Sequence, residues 1–481
     1  MTKKRNIQNE KPGLGYRIFK KYVGFFHDHV YYRKVYAVNT ENIPEKCPLM
    51  IVSNHQNSLC DPLGLLLTVK GRRERKHKVI TRADVFNKPL ANRLLRWLGL
   101  LPAYRMSVDG EESLVHNTDT FEVSEEELLN DGTIIIFPES GHQDKRWLGK
   151  FSSGYLHILF EAARKSDFKK ELFVLPSCNH YSNYFDIQED MVIKYGTPIS
   201  IAPFYELYKT KPRTAQRQVN ALVRQQVSDL MLNITDLDNY KAIDYLRNTY
   251  GVKYAKSKGL NPTKLPEKLL ADKQLFADLE HLKEKDDHLV QQIYRDTLTL
   301  GEKIKQLRLN DWNFDRKYNP WKMLSKGVLF ALLFPLFIFS LIPNILVLYA
   351  PGMVTSKVKD PMLHSAIKIV ISLLFTMPVL YLSIFAITWM LTNSFLIASI
   401  YVFCLPFLGV FVWHYAKTWK AWLSEFRFHK LSKNKKLDDL ISLRTNLYES
   451  LDTSLGIRSK PIVRNLYERF IQPWLRARKS S

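Results

Sequence analysis

The sequence predicts an α/β domain around a central sheet, then a charged helical region, then a group of membrane helices. Three observations predict it. Short apolar runs alternate with helical patterns over residues 1–210, residues 211–320 combine high charge with helical spacing, and from residue 327 three long segments lose almost all charge. Strands alternating with helices at these lengths mark an α/β domain. About 20 apolar residues are what a helix needs to cross the roughly 30 Å hydrocarbon layer.

The elements follow in chain order. Residues 1–34 open with a charged stretch that lacks the apolar core of a secretory signal and is expected to be retained. Within them "GYRIFKKYVGFFHDHVYYRK" (15–34) mixes aromatic and basic residues, which predicts an amphipathic helix lying either on anionic lipid or on the domain itself. Residues 35–210 hold five apolar runs that read as buried strands: 49–54, 77–82, 132–139, 172–178 and 190–196. Helical patterns lie between them, as in "NKPLANRLLRWLGL" (87–100) and "SSGYLHILFEAARKS" (152–166). Residues 211–320 predict long helices packed on each other, for example "KLPEKLLADKQLFADLEHLKEK" (264–285), with a solvated charged face and no catalytic constellation.

The membrane region spans 327–416. Segment 327–350 has no charged residue, 366–391 carries only Lys368, and 395–416 has none. The tail 417–481 is basic, with 15 Lys and Arg against 6 Asp and Glu. Basic flanks prefer the cytoplasm. Two crossings keep both flanks there, so 366–391 and 395–416 are expected to form a transmembrane hairpin. Segment 327–350, interrupted by Pro335 and Pro343, is then re-entrant or interfacial; a full span is the alternative.

Composition limits the partners. The 481 residues carry 70 Lys and Arg against 47 Asp and Glu, a formal charge of +23. Such a surplus favours nucleic acid, an anionic membrane surface or phosphorylated substrates. Four cysteines without metal-ligand spacing fit a reduced, cytoplasm-facing protein with no disulfide framework.

The chemistry concentrates in "IVSNHQNSLCDPLGLLL" (51–67), where His55 and Asp61 stand six positions apart. Asp61-Pro62 reads equally as a helix opening, with Asp at the N-cap and Pro at the first helical position. In a non-helical turn, however, the carboxylate folds back onto the imidazole. It then fixes one tautomer and stabilises the imidazolium formed on proton uptake, which suits a general base for an alcohol. Three further stretches follow: "GLLPAYR" (99–105), "FPESGHQDKRWLGK" (137–150) and "VLPSCNHY" (174–181).

In this order the four stretches resemble the blocks of the glycerophospholipid acyltransferases, the family of glycerol-3-phosphate and 1-acylglycerol-3-phosphate acyltransferases. The five residues between His55 and Asp61 resemble the HxNxxxD variant of the fungal-type glycerol-3-phosphate/dihydroxyacetone-phosphate branch, with Asn57 on its Asn. The second block falls on Gly99–Arg105, the third on Phe137, Pro138, Glu139 and Ser140, and the fourth on Val174 and Pro176. Ser140 stands where the family usually has Gly, and Gly141 follows it. The resemblance implies an α/β acyltransferase domain with a central mixed sheet and flanking helices. It implies that His55, oriented by Asp61, deprotonates a glycerol hydroxyl that attacks an acyl thioester. Asn57, Arg105, Pro138, Glu139, Ser140, Gly141 and Lys150 are the implied substrate-binding residues, with Arg105 and Lys150 on the phosphate. Acyl-CoA or acyl-carrier protein is the implied donor, and no metal or further cofactor is expected. The expected partners are a phosphorylated glycerol acceptor, the acyl thioester and anionic membrane lipids.

Other classes compete. A nucleic-acid-binding membrane protein also explains the charge, but no recognised binding motif accompanies it. A non-catalytic lipid-binding scaffold keeps the fold without the reaction, and a thioesterase puts water in place of the hydroxyl. The presence of His55, Asp61 and Glu139 together argues against the scaffold, and phosphate-holding residues argue against the thioesterase.

Overall fold

The computed structural model describes residues 12–69, 76–104, 115, 117–139, 145–358 and 363–457. These divide into two compact units, one drawn from Met1–Asn233 with Pro335–Trp413, the other from Ile234–Phe334 with His414–Ser481.

The first unit is built on an eight-stranded sheet. Its strands are β1 (Tyr32–Val38), β2 (Leu49–Ser53), β3 (Lys78–Arg82), β4 (Leu100–Ala103), β5 (Thr133–Ile136), β6 (Phe173–Tyr181), β7 (Glu189–Tyr195) and β8 (Ile199–Ser200). The order is β1-β7-β6-β2-β5-β3-β4, with β8 beside β6. Pairings are parallel except β6 with β7 and β6 with β8, so the sheet is mixed.

Alternation along the strands fills two cores. Met50, Val52, Ile134 and Val174 join one cluster, while Leu49, Ile51, Ile135 and Leu175 join the other. This is why these strands read as continuous apolar runs: side chains on both faces are covered. Helices α1 (Leu14–Phe26), α2 (Cys60–Thr68), α3 (Pro89–Leu98), α4 (Asn117–Leu129), α5 (Gly154–Lys165) and α6 (Pro212–Leu230) flank the sheet or connect its strands. Helices α5 and α6 supply Leu156, Leu159, Val219 and Val223 to the first core. Helices α1 and α2 supply Val23, Cys60 and Leu65 to the second.

Two elements differ from the expectation. The helix expected over 15–34 stops at Phe26, passes through a π-turn (His27–Tyr31) and becomes strand β1 at Tyr32, which pairs with β7. Helix α1 packs on the domain through Tyr16 and Val23, while Leu14 and Ile18 stay exposed. The helix expected over 87–100 ends at Leu98, and the chain turns at Gly99 into strand β4. Gly99 has φ +94°, and a Cβ there would lie 2.8 Å from the His77 carbonyl oxygen. Only glycine combines that conformation with that approach.

The second unit is helical: α7 (Tyr240–Asn248), α8 (Tyr250–Ser257), α9 (Leu265–Lys285) and α10 (Asp287–Gln306) pack with a helix near its C-terminal end (Asp438–Ser454). Its buried charges are paired: Arg247 with Asp244 and Asp272, Lys268 with Asp272, and Arg444 with Asp311 and Asp315.

Among the described residues, three helices are long and apolar enough to cross a membrane: α11 (Pro320–Thr355), α12 (Leu363–Thr392) and α13 (Phe395–Lys433). Helix α11 continues through Pro335, Pro343 and Pro351 for 36 residues, about 54 Å at 1.5 Å per residue. Helix α12 contains a π-turn at Ser372–Thr376, and its first turns join the second core through Ile369 and Leu373.

Candidate active site

Strands β2, β5 and β6 run parallel, with Val52 opposite Ile136 and Ser53 opposite Ser177. Their C-terminal ends therefore open on one edge of the sheet, where ligands of open α/β sheets collect. The chain leaves β2 into the turn 54–59, leaves β5 into Phe137–Glu139, and ends β6 at Tyr181.

The turn after β2 is held from several sides. Asn54 and Asn179 exchange hydrogen bonds: Asn54 Nδ2 donates to the Asn179 carbonyl at 3.0 Å, and Asn179 N donates to Asn54 Oδ1 at 2.7 Å. Ser58 takes a left-handed conformation with φ 38°, uncommon for a residue with a side chain. The helix begins at Cys60 with Leu59 at its N-cap, so Asp61 lies inside the first turn and is not the cap. The reason is visible in its partners. Asp61 Oδ2 accepts from Gln56 N at 2.8 Å and Asn57 N at 2.7 Å, donors that precede the helix.

The same oxygen lies 2.8 Å from His55 Nδ1. The other carboxylate oxygen accepts the Tyr181 hydroxyl at 2.5 Å. Asp61 is sealed from solvent, while the His55 side chain is 15 % exposed. A carboxylate already accepting from two amides and a phenol calls for a fourth donor, so the proton sits on Nδ1 and Nε2 is the basic position. Phe137 stacks on the imidazole at 4.6 Å between ring centres and fixes its plane. Burial raises the Tyr181 phenol well above its ordinary range, so it remains a donor to Asp61. Burial likewise pushes the adjacent Cys60 thiol up to about 12, which removes it as a nucleophile near neutrality.

Glu139 braces the turn through the main chain. Its Oε1 accepts from His55 N at 2.7 Å and its Oε2 from Gly149 N at 2.8 Å. Burial raises its carboxyl to about 7, against the lowering effect of those two amides. Pro138 is buried beside it, its carbonyl accepting from Ser152 N at 2.8 Å. Lys150 follows Gly149 with an exposed side chain.

Asn57 is buried at 1 % exposure, with its amide donating to the Tyr184 carbonyl at 3.1 Å. Its observed contacts support the turn. Arg146, also buried, donates to the Tyr181 carbonyl at 3.1 Å and to the Tyr184 hydroxyl at 3.0 Å, and the latter donates to Gln56 Oε1 at 2.7 Å. Arg105, Ser140 and Gly141 lie outside the described residues. Just ahead of Arg105, Tyr104 is clasped by Asn117, with N–H to Oδ1 at 2.8 Å and Nδ2 to carbonyl at 2.9 Å.

The fold thus brings together His55, Asp61, Asn57, Pro138 and Glu139 from the expected set. It adds Tyr181 and Tyr184, which sequence reasoning missed, and gives Phe137 a contact with the imidazole that the sequence did not assign. Phe137 was legible only as part of the FPE block. Tyr181 and Tyr184 carry no local signal, because their role depends on where β6 ends relative to α2.

Residues 34–180 match the family model described as Acyltransferase. Glycerol-3-phosphate O-acyltransferase 2 of Saccharomyces cerevisiae is 28 % identical over 137 residues, which cover 28 % of this chain and 18 % of that protein. The match therefore spans less than a fifth of that relative's length. Among solved structures, the 1-acyl-sn-glycerophosphate (LPA) acyltransferase PlsC of Thermotoga maritima aligns with TM-score 0.32 and 18 % identity, over 45 % of this chain and 79 % of that one. The resemblance to acyltransferases read from the sequence holds for the matched segment.

Proposed function

We propose that this chain transfers a fatty acyl group from an acyl thioester, acyl-CoA or acyl-carrier protein, to a hydroxyl of glycerol 3-phosphate at a membrane. The observation that carries the reading is the contact between His55 Nδ1 and a fully buried Asp61 carboxylate at 2.8 Å, in a segment that matches the Acyltransferase family. His55 Nε2 takes the hydroxyl proton as the oxygen attacks the thioester carbonyl. The tetrahedral intermediate then expels the thiolate, which recovers the proton from the imidazolium. The histidine is a base, so no acyl-enzyme forms. Asp61 opposes the charge that builds on the ring.

Glu139 accepts from both His55 N and Gly149 N, which supports a role near the turn for Lys150, the next residue in the chain. Arg105 and Lys150 are the proposed phosphate ligands; a planar guanidinium suits a phosphate through two parallel hydrogen bonds. No metal or further cofactor enters this chemistry. The basic tail, with 15 Lys and Arg against 6 Asp and Glu, supports a catalytic domain on the cytoplasmic face.

The runner-up acceptor is 1-acylglycerol 3-phosphate, which also offers a hydroxyl near a phosphate. The test is acyl transfer in membranes containing the protein, with labelled acyl-CoA and either acceptor, beside His55→Ala at matched expression. Product from glycerol 3-phosphate that vanishes in the variant is the expected result. Product from the lysolipid alone selects the runner-up. No His55-dependent product from either, with lipid binding intact, overturns the reading in favour of a non-catalytic scaffold.

A further inference from the structure

The unit that holds the candidate active site contains a cavity of about 110 Å³ on a different set of residues. Val23 and Val30 line it from the N-terminal helix and its π-turn, Leu63 from α2, and Val347, Leu373 and Val410 from α11, α12 and α13. Leu63 stands two positions after Asp61 on the same helix. Apart from Leu63, every lining residue falls outside 34–180, so the family match does not account for this cavity.

Most polar groups on the wall are engaged with the protein, while Tyr31 Oη and His27 Nε2 are buried without a hydrogen-bond partner among the described residues. Tyr381 donates to Asn344 Oδ1 at 2.7 Å, and Asn344 Nδ2 donates to the Ser340 carbonyl at 3.0 Å. Lys368 Nζ donates to the Phe185 carbonyl at 3.1 Å, and His27 Nδ1 lies 2.8 Å from Asp28 Oδ1. The wall therefore offers a ligand two hydrogen-bonding positions, Tyr31 Oη and His27 Nε2, and otherwise mainly surface to pack against. Pockets lined mainly by apolar side chains with a few polar groups accept largely apolar ligands. Three of the walls belong to helices long and apolar enough to cross a bilayer, whose hydrocarbon layer offers acyl chains to fill the space. Lining atoms that face a void forfeit dispersion contacts that a methylene chain restores.

We propose that this cavity binds an unbranched aliphatic chain entering from the hydrocarbon layer. The chain belongs either to the acyl thioester, a source that rests on the function proposed above, or to a bilayer phospholipid, which does not. In both cases it packs against Leu63 and so touches the helix that carries Asp61.

The experiment uses the full chain in nanodiscs with two photoreactive probes, an acyl-CoA and a phosphatidylcholine, each with a diazirine in its acyl chain. Val347 and Leu373, only 7 % and 6 % exposed, are the diagnostic positions. Cross-links there are expected from at least one probe, falling at least fivefold in Val410→Trp, which fills the cavity. Leu391→Trp, at an exposed position outside the lining, is expected to leave them unchanged. Should Val410→Trp lose the wild-type elution profile, Leu348→Trp replaces it. Cross-linking by the acyl-CoA probe assigns the donor chain, and by phosphatidylcholine alone a resident lipid. Absence of cross-links from both probes, or equal labelling in the filled variant, overturns the proposal. His55-dependent acyl transfer read on the same sample distinguishes its failure from that of the proposed function.

Discussion

Asp61→Asn tests the proposed chemistry most directly. The amide is nearly isosteric: its oxygen can keep the amides of Gln56 and Asn57 and the proton of His55, and its NH₂ can face a reoriented Tyr181 hydroxyl. What is lost is the charge. Two unit charges 2.8 Å apart attract by about 6 kcal/mol at an effective dielectric of about 20. A transition state with the imidazolium half formed forfeits about 3 kcal/mol, or roughly 10²-fold in rate. The assay is CoA release from acyl-CoA with glycerol 3-phosphate, or with the lysolipid if that proves the acceptor. Because Asp61 is sealed from solvent, kcat should fall by that factor while KM for the acceptor stays within about threefold. A folded variant with kcat within threefold of wild type refutes the role assigned to the carboxylate.

Two other substitutions probe the supports. Glu139 titrates near 7 in the folded chain, above its ordinary 4.5, so its stabilising contribution is complete below about pH 4.5 and disappears as pH rises through 7. The span is worth about 3 kcal/mol. In thermal unfolding from pH 4.5 to 8 the wild-type midpoint should decline relative to that of Glu139→Gln, and parallel profiles would contradict the buried carboxyl. Tyr181→Phe leaves a buried Asp61 oxygen without its donor at 2.5 Å, at a cost of about 1–3 kcal/mol. Its unfolding midpoint and kcat should both drop; an unchanged midpoint would mean that the hydroxyl does not support Asp61.

The central strands were legible and the outer ones were not, for one physical reason. Strands β2, β5, β6 and β7 are largely buried and each carries a continuous apolar run, LMIV in β2, III in β5, FVL at the start of β6 and MVI at the centre of β7. Strands β1 and β4 close the two edges of the sheet. The first carries Arg33 and Lys34 and the second Pro102, features that edge strands tolerate. Their patterns merged with the neighbouring helices: β1 read as the end of an amphipathic helix, and β4 as the continuation of α3.

The amino-acid sequence by itself determined the α/β class, the three apolar segments and the candidate pair His55 and Asp61, because periodicity, hydropathy and motif spacing are local properties. Only the tertiary structure decided how that pair is held. The Tyr181 hydroxyl reaches Asp61 across 120 positions and Glu139 reaches the His55 amide across 84. Such distances in sequence leave no local trace, since the contacts arise only when parallel strands bring their C-terminal ends to the same edge of the sheet. The tertiary structure also moved Asp61 from the expected cap into the first turn of α2, because the donors its carboxylate binds lie in the turn before the helix.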